Sequence, residues 1–131
     1  MHRQFVRIAS RGRQLFRPCL IDTTGGTPRT LNYAKTLTGA VVLARWLKPR
    51  ISPEKSVGLW LPCSVGSALA NVAIHFLGRT AVNLNYTAGI EAIRSAVRNT
   101  GMKTIVTSKR FLARLPLDLG GEVKFILLEE A

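Results

Sequence analysis

Acidic residues are scarce in this sequence. Seven Asp and Glu stand against nineteen Lys and Arg in 131 residues, giving a formal net charge of +12, and no acid precedes Asp22. Such a balance favours anionic partners: nucleic acid, acidic lipid, nucleotide phosphates or an acidic protein. Aromatic residues make up only 7% and do not interleave with a basic stripe. The sequence therefore argues against dedicated nucleic-acid binding.

Cysteine and histidine are equally scarce, with two of each. Cys19 and Cys63 lie far apart, form no CxxC motif and have no histidine at zinc-ligand spacing, so we predict free structural thiols, a reducing compartment and no metal site. His75 has no carboxylate or second histidine three or four residues away. No catalytic residue can be assigned, because no Ser-His-Asp order, HExxH motif or carboxylate pair stands in a matching context.

One long stretch, residues 56–78, contains no charge. Its length would suffice for a membrane span. However, Pro62 and several small polar residues interrupt the stretch, and its hydrophobic period changes halfway. We therefore predict a buried strand followed by a packed helix.

The first seventeen residues form a basic N-terminal segment that precedes an α/β core at 18–131. Its five arginines and lack of acids resemble a transit peptide in composition. Arg3, Arg7 and Arg11 would share one helical face, which also allows an amphipathic segment in contact with lipid. A solvated first helix leading into the domain is the third interpretation.

The core is predicted to begin with a hairpin. Short strands at 19–21 and 29–31 flank Gly25 and Gly26, which tolerate the positive φ of a tight turn. Asn32 is a good N-cap for a following helix whose apolar stripe runs to Leu47, with Thr36 on another face.

Strands and helices then alternate. Strands are predicted at 57–61, 81–84, 103–107 and 123–128, and helices begin after the N-cap residues Ser64, Thr87 and Ser108. Gly101 is placed to close the second of these helices in a left-handed conformation. The order predicts an α/β fold: an open, mostly parallel sheet with right-handed crossovers and helices on both faces.

Ligands of open parallel sheets gather beyond the carboxyl ends of the strands. Five polar side chains would lie at that edge, and they form our predicted substrate-side crevice: Ser64, Asn85, Tyr86, Thr87 and Ser108. For Thr87 and Ser108, helix capping and turn chemistry are the simpler roles.

Two other segments invite a phosphate-binding interpretation. Residues 23–29 (TTGGTPR) are rich in glycine and hydroxyls, but a phosphate loop joins a strand to a helix, and this segment joins two strands. Lys109 and Arg110 stand at a helix start, where their charge opposes the dipole and weakly suggests a nearby anion. A hairpin turn and an exposed helix face are our predictions for the two segments.

Four segments, in order and spacing, resemble AMP-forming acyl-activating enzymes. Residues 31–37 (LNYAKTL) are similar to the first core motif of that family and residues 76–85 (FLGRTAVNLN) to the second. Residues 57–62 and 103–108 are similar to its first parallel strand and its later Ile-Val-Thr-Ser strand. The resemblance implies that this chain is the N-terminal subdomain of an AMP-binding synthetase domain.

Residues 82–89 (VNLNYTAG), with 92–95, resemble one subgroup more specifically. This is the synthetase part of bacterial acyl-[acyl-carrier-protein] synthetase/2-acylglycerophosphoethanolamine acyltransferases. Thr36 departs from the Glu usual in the first motif. Asn83 replaces the Pro common in the second, and the subgroup carries Asn there.

The resemblance implies an ATP-dependent acid–thiol ligase. A fatty acid would attack ATP to give an acyl-adenylate and pyrophosphate, and the thiol of an acyl-carrier protein or of coenzyme A would then take the acyl group. ATP and Mg²⁺ are expected for the full-length enzyme. Because the family's phosphate loop, adenine segment, ribose-binding Asp and catalytic Lys would fall beyond Ala131, we expect this chain to be inactive alone and to bind neither cofactor tightly.

The expected partners are the remainder of the synthetase domain, a fatty acid, a carrier protein or coenzyme A, and an anionic membrane surface. The expected location is the cytoplasm, including the inner face of a bacterial membrane. The alternative hypothesis is a stand-alone basic α/β module that binds an acidic carrier protein, an anionic membrane or nucleic acid.

Overall fold

A computed structural model describes residues 2–10, 12–24, 27–121 and 123–131. The helices are α1 (His2–Ala9), α2 (Tyr33–Leu47), α3 (Val65–Phe76), α4 (Ile90–Thr100) and α5 (Lys109–Arg114), with 3₁₀ turns at Gly12–Phe16 and Leu128–Glu130. The strands are β1 (Pro18–Asp22), β2 (Arg29–Asn32), β3 (Ser56–Trp60), β4 (Thr80–Asn83), β5 (Thr104–Thr107) and β6 (Lys124–Leu127). The predicted Gly25-Gly26 turn and the side chain of Arg11 lie outside the described residues.

The first two strands form the predicted antiparallel hairpin, with Asp22 opposite Arg29. Asn32 caps α2 as expected, because its Oδ1 accepts a hydrogen bond from the Lys35 N–H at 2.8 Å. The prediction that Thr36 faces outward was wrong. Thr36 is 1% exposed, since the hairpin and the first 3₁₀ turn cover this end of α2, and its hydroxyl donates to the Asn32 carbonyl at 2.9 Å.

The remaining four strands form a parallel sheet in the order β4-β3-β5-β6. Leu59 lies opposite Asn83 in β4, and Gly58 lies opposite Ile105 in β5. Side chains alternate between two buried clusters, because successive residues of a strand point to opposite faces. Val57 and Leu59 pack with α2 and α3, and Trp60 packs with α4 and α5. The predicted α/β architecture with helices on both faces is confirmed.

The uncharged stretch 56–78 divides into β3, buried on both faces, and α3. Ala70, Ala73 and Ile74 form the buried side of α3, whereas Leu69 and Val72 are only half-buried. Across the described ranges of the chain, no helix has both the length and the apolar character that a membrane span needs. The strand-and-helix prediction for this stretch is confirmed.

Candidate substrate crevice

The carboxyl ends of β3, β4 and β5 meet at one edge of the sheet because the strands are parallel. The loop after β3 carries Ser64, the loop after β4 carries Asn85 to Thr87, and β5 runs directly into Ser108. Topology alone therefore brings all five predicted site residues to this edge.

The loop after β4 is organised by the side chain of Asn85. Its Oδ1 accepts hydrogen bonds from the Thr87 N–H at 2.9 Å and from the Thr87 hydroxyl at 2.7 Å, which is an Asx turn. The prediction that Thr87 caps α4 was wrong, since the N-cap is Gly89, without a side-chain hydrogen bond. The Asx turn, together with the Ala88 N–H that donates to the Asn85 carbonyl at 3.1 Å, keeps residues 85–88 in a turn, so the N-cap falls two residues after Thr87. Gly101, in contrast, closes α4 in the predicted left-handed conformation, with a φ of 62°.

Tyr86 connects this loop to the centre of the sheet through aromatic contacts. Its ring meets Phe111 of α5 edge-on at 5.5 Å, and Phe111 packs against Trp60 at 5.8 Å. Trp60 is 3% exposed, and its indole N–H donates to the Leu115 carbonyl at 3.3 Å. The chain of rings fixes one wall of the crevice on buried residues.

An open groove of about 580 Å³ lies at this edge. Its lining residues are Thr24, Pro62, Cys63, Ser108, Arg110, Phe111 and Arg114. Ser108 also caps α5, because its Oγ accepts from the Phe111 N–H at 3.0 Å. A groove of this size with two guanidinium groups, three polar side chains and one aromatic wall can accommodate a small organic anion.

A smaller cavity of about 260 Å³ adjoins the groove and shares Thr24 and Cys63 with it. Ser64 lies in this cavity and not in the larger groove. Its Oγ caps α3 by accepting from the Ser67 N–H at 3.2 Å. The five predicted residues therefore share one edge but are distributed over the β4 loop, the groove and this cavity.

Sequence reasoning missed Asp22, which joins the hairpin to α3. Its carboxylate accepts from the Val65 N–H at 3.0 Å and from the Thr24 N–H at 2.9 Å. The Thr24 hydroxyl donates to it as well. The bonds from Thr24 and then Val65, with the charge of Arg29, lower the pKa of Asp22 from 3.8 to about 2. The partner in α3 lies 43 residues away, so no local pattern marks it.

The carboxylate of Glu129 binds the first N–H of α5, as that of Asp22 binds the first N–H of α3. Its Oε2 accepts from the Lys109 N–H at 2.9 Å. Burial raises the pKa of Glu129, but hydrogen bonds from the backbone N–H groups of Lys109, Glu129 and Arg110 outweigh it, so the net pKa is lowered. The anion suggested by two cations at this helix start is thus a carboxylate of the chain itself.

The structure also shows where the cysteines, His75 and the glycine-rich segment lie. Both cysteines carry free thiols, Cys19 half-buried and Cys63 exposed. His75 is half-buried in α3. No group of three or more His, Cys, Asp or Glu that could hold a metal ion occurs among the described residues. The glycine-rich segment 23–29 does connect β1 to β2, as a hairpin loop does.

We predict that stability in acid depends on Asp22. Because its folded pKa lies below 3.8, its ionised form stabilises the fold above that value, and this contribution is lost as the pH falls from 3.8 to about 2. Asp22→Asn should flatten the decline of the unfolding midpoint over that window in urea titrations followed by circular dichroism. Asp118→Asn is the control, since that carboxylate accepts only from Gly120 in a separate turn. An unchanged pH profile in Asp22→Asn, or the same flattening in the control, would contradict this role.

Comparison with known proteins identifies the family. A family model described as AMP-binding enzyme matches residues 9–128. Among solved structures, the ATP and magnesium complex of O-succinylbenzoate coenzyme A synthetase (MenE) from Bacillus subtilis superposes with a TM-score of 0.78 at 18% identity, over 96% of this chain and 32% of that chain.

Two further structures share the fold. The N-terminal subdomain of Klebsiella oxytoca NpsA, in complex with 3-hydroxybenzoyl-AMSN, gives a TM-score of 0.81 at 16% identity, over 99% of this chain and 30% of that one. The fatty acid AMP ligase from Legionella pneumophila gives 0.78 at 15% identity, over 98% and 23%. This chain thus spans about a third or less of the length of these proteins. It belongs to the AMP-binding enzyme family, and its fold is that of the NpsA N-terminal subdomain.

Proposed function

We propose that this chain is the N-terminal portion of an ATP-dependent, AMP-forming synthetase that joins a fatty acid to the thiol of an acyl-carrier protein or of coenzyme A. The observation that carries the proposal is the AMP-binding family match over residues 9–128. The acid would first become an acyl-adenylate and then a thioester. Because this chain spans about a third or less of the length of the related chains, we expect the whole reaction of a longer polypeptide.

The side chain of Asn83 supports the acyl-carrier-protein subgroup. Asn83 and Asn71 of α3 exchange two amide hydrogen bonds, at 3.0 and 3.2 Å. β4 is an edge strand, where the backbone would tolerate the Pro found more widely in the superfamily. The Asn therefore contributes through its side chain, by joining α3 to the strand that leads into the Asn85 loop.

The crevice then supplies one wall for the acyl group or for its acceptor. The rings of Tyr86 and Phe111 offer an apolar surface, and Arg110 and Arg114 offer positive charge along the groove. An acidic carrier protein or the phosphates of coenzyme A would complement that charge. The expected role of Ser64, Asn85, Thr87 and Ser108 is to hold the surrounding loops and helix starts in place.

The described residues do not fit a site for ATP or Mg²⁺. A phosphate site in an α/β fold uses free N–H groups at a helix start, but Asp22 and Glu129 already accept from the first N–H groups of α3 and α5. The start of α4 has no side-chain cap, but it carries Glu91 in its first turn. These carboxylates would also repel a triphosphate. We therefore assign no step of adenylation to residues of this chain and expect both cofactors to bind elsewhere in the longer enzyme.

ATP–pyrophosphate exchange tests the proposal. The 131-residue chain should show no exchange above background with fatty acids and Mg²⁺, because adenylation depends on donors and a metal that clamp the polyphosphate charge. An intact fatty acid AMP ligase serves as the positive control. Exchange by the 131 residues at a comparable rate would show that the chain contains its own adenylation site and would refute this assignment.

A further inference from the structure

The described part of the first twenty-one residues combines exposed positive charge with exposed apolar side chains. Phe16 is 77% exposed and Ile21 is 68% exposed, the highest values among the described large hydrophobic residues. We propose that this region docks on the surface of an anionic lipid bilayer. We define the membrane-docking surface by the exposed basic and apolar side chains of this segment: Arg3, Arg7, Arg13, Phe16, Arg17 and Ile21.

The charge of this surface is not compensated by the protein. All four arginines are exposed, and the single ion pair among the described residues joins Glu91 to Arg94 in α4. The first acid in the sequence, Asp22, is already hydrogen-bonded to Thr24 and Val65. A basic residue close to an anionic bilayer strengthens binding about five-fold, so four guanidinium groups supply a substantial attraction.

The apolar side chains favour a bilayer over a protein or nucleic-acid partner. Phe16 stands between Arg13 and Arg17 in the sequence and lines neither the groove nor the cavity that adjoins it. A protein partner would have to provide a pocket for this ring, whereas the headgroup region of a bilayer accepts it without one. A single aromatic ring also offers no platform on which successive bases could stack.

The docking surface is fixed to the domain. α1 packs against α2 and α3, and Ala9 at its end is fully buried. The Arg17 carbonyl accepts from the Tyr33 N–H at 3.2 Å, which holds the segment at the start of α2. Docking through this surface would therefore set the orientation of the whole domain relative to the membrane.

Vesicle co-flotation of the 131-residue chain tests the proposal. We expect binding to vesicles of phosphatidylglycerol and phosphatidylcholine, weak binding to phosphatidylcholine alone, and a steep loss of binding as salt rises. Arg13→Gln with Arg17→Gln should weaken binding about 30-fold, and Phe16→Ser about ten-fold. All three side chains are exposed, so the variants should fold, which circular dichroism verifies.

The matched control is Arg98→Gln with Lys103→Gln, two exposed residues whose replacement removes the same charge from the end of α4 and the loop after it, on the face of the sheet opposite α2 and α3. If this pair weakens binding as much as the N-terminal pair, net charge and not the docking surface is responsible, and the proposal fails. Equal binding to neutral vesicles would also overturn it. Retention by an acidic carrier protein or duplex DNA at a salt concentration that abolishes vesicle binding would assign the surface to that partner instead.

Discussion

Replacing Trp60 with alanine should lower the free energy of unfolding by about 3–5 kcal/mol. Trp60 is 3% exposed, it contacts Phe111, and its indole N–H is bonded to the Leu115 carbonyl. Removing the ring leaves a cavity between the sheet and α5 and an unpaired carbonyl. Since small domains are stable by only about 5–15 kcal/mol, much of the stability of the chain would be lost. Urea unfolding followed by circular dichroism measures the change.

Trp46→Ala is the matched control for this prediction. Trp46 is only half-buried, and its ring is covered by the guanidinium of Arg50 at 4.2 Å. Less apolar surface would return to water, so the loss of stability should be clearly smaller. A loss at Trp46 equal to or larger than that at Trp60 would show that Trp60 is not a principal support of the crevice wall.

Gly58→Ala should destabilise the protein by about 1–3 kcal/mol, through overpacking and not through a cavity. A Cβ at Gly58 would lie 2.8 Å from Ile105 Cγ1 and 2.8 Å from Met102 Sδ. Neither atom is the free end of its side chain, so β3 or β5 would have to shift. Thermal and urea unfolding of the variant measure the cost.

Gly66→Ala provides the contrast within the same chain. A Cβ there meets its nearest neighbours at 3.7 and 3.8 Å, an ordinary contact, and Gly66 lies in α3. Alanine should therefore raise stability by about 0.4–1 kcal/mol, because it reduces the entropy of the unfolded chain. Destabilisation at both glycines would mean that the close approach of β3 to β5 does not explain the effect at Gly58.

Much of the fold was predictable because its signals are local. Asn32, Ser64 and Ser108 accept hydrogen bonds from N–H groups three residues ahead, so a single residue type at a helix start carries the information. The residue type of Gly101 likewise indicates by itself where α4 ends. The alternation of strands and helices likewise implies a parallel sheet without any knowledge of contacts.

The errors and omissions arose where side chains had alternative partners or distant ones. Thr87 is a good capping residue by type, but the turn organised by Asn85 holds it outside the helix, whose N-cap is Gly89. Thr36 became buried because the hairpin packs over it, which a helical pattern does not reveal. The spatial order β4-β3-β5-β6 also depends on packing between elements and not on any one segment.

The sequence predicted at which edge of the sheet the candidate crevice residues lie, but not how they are arranged there. The strand ends placed Asn85, Tyr86 and Ser108 correctly beyond β4 and β5. The contributions of Arg114 and Thr24 to the groove come from the last residue of α5 and from the hairpin, so neither residue stands where a strand of the parallel sheet ends.

The two carboxylate contacts at α3 and α5 differ in when they can form during synthesis. Asp22 precedes Val65 by 43 residues, so the carboxylate is already available when α3 leaves the ribosome. Glu129 follows Lys109 by 20 residues, so the first N–H of α5 has no carboxylate partner until Glu129 has been synthesised. A six-residue helix is too short to persist alone. The nascent chain therefore has a complete α3 before it has a stable α5, and the aromatic wall that includes Phe111 of α5 is assembled after α3.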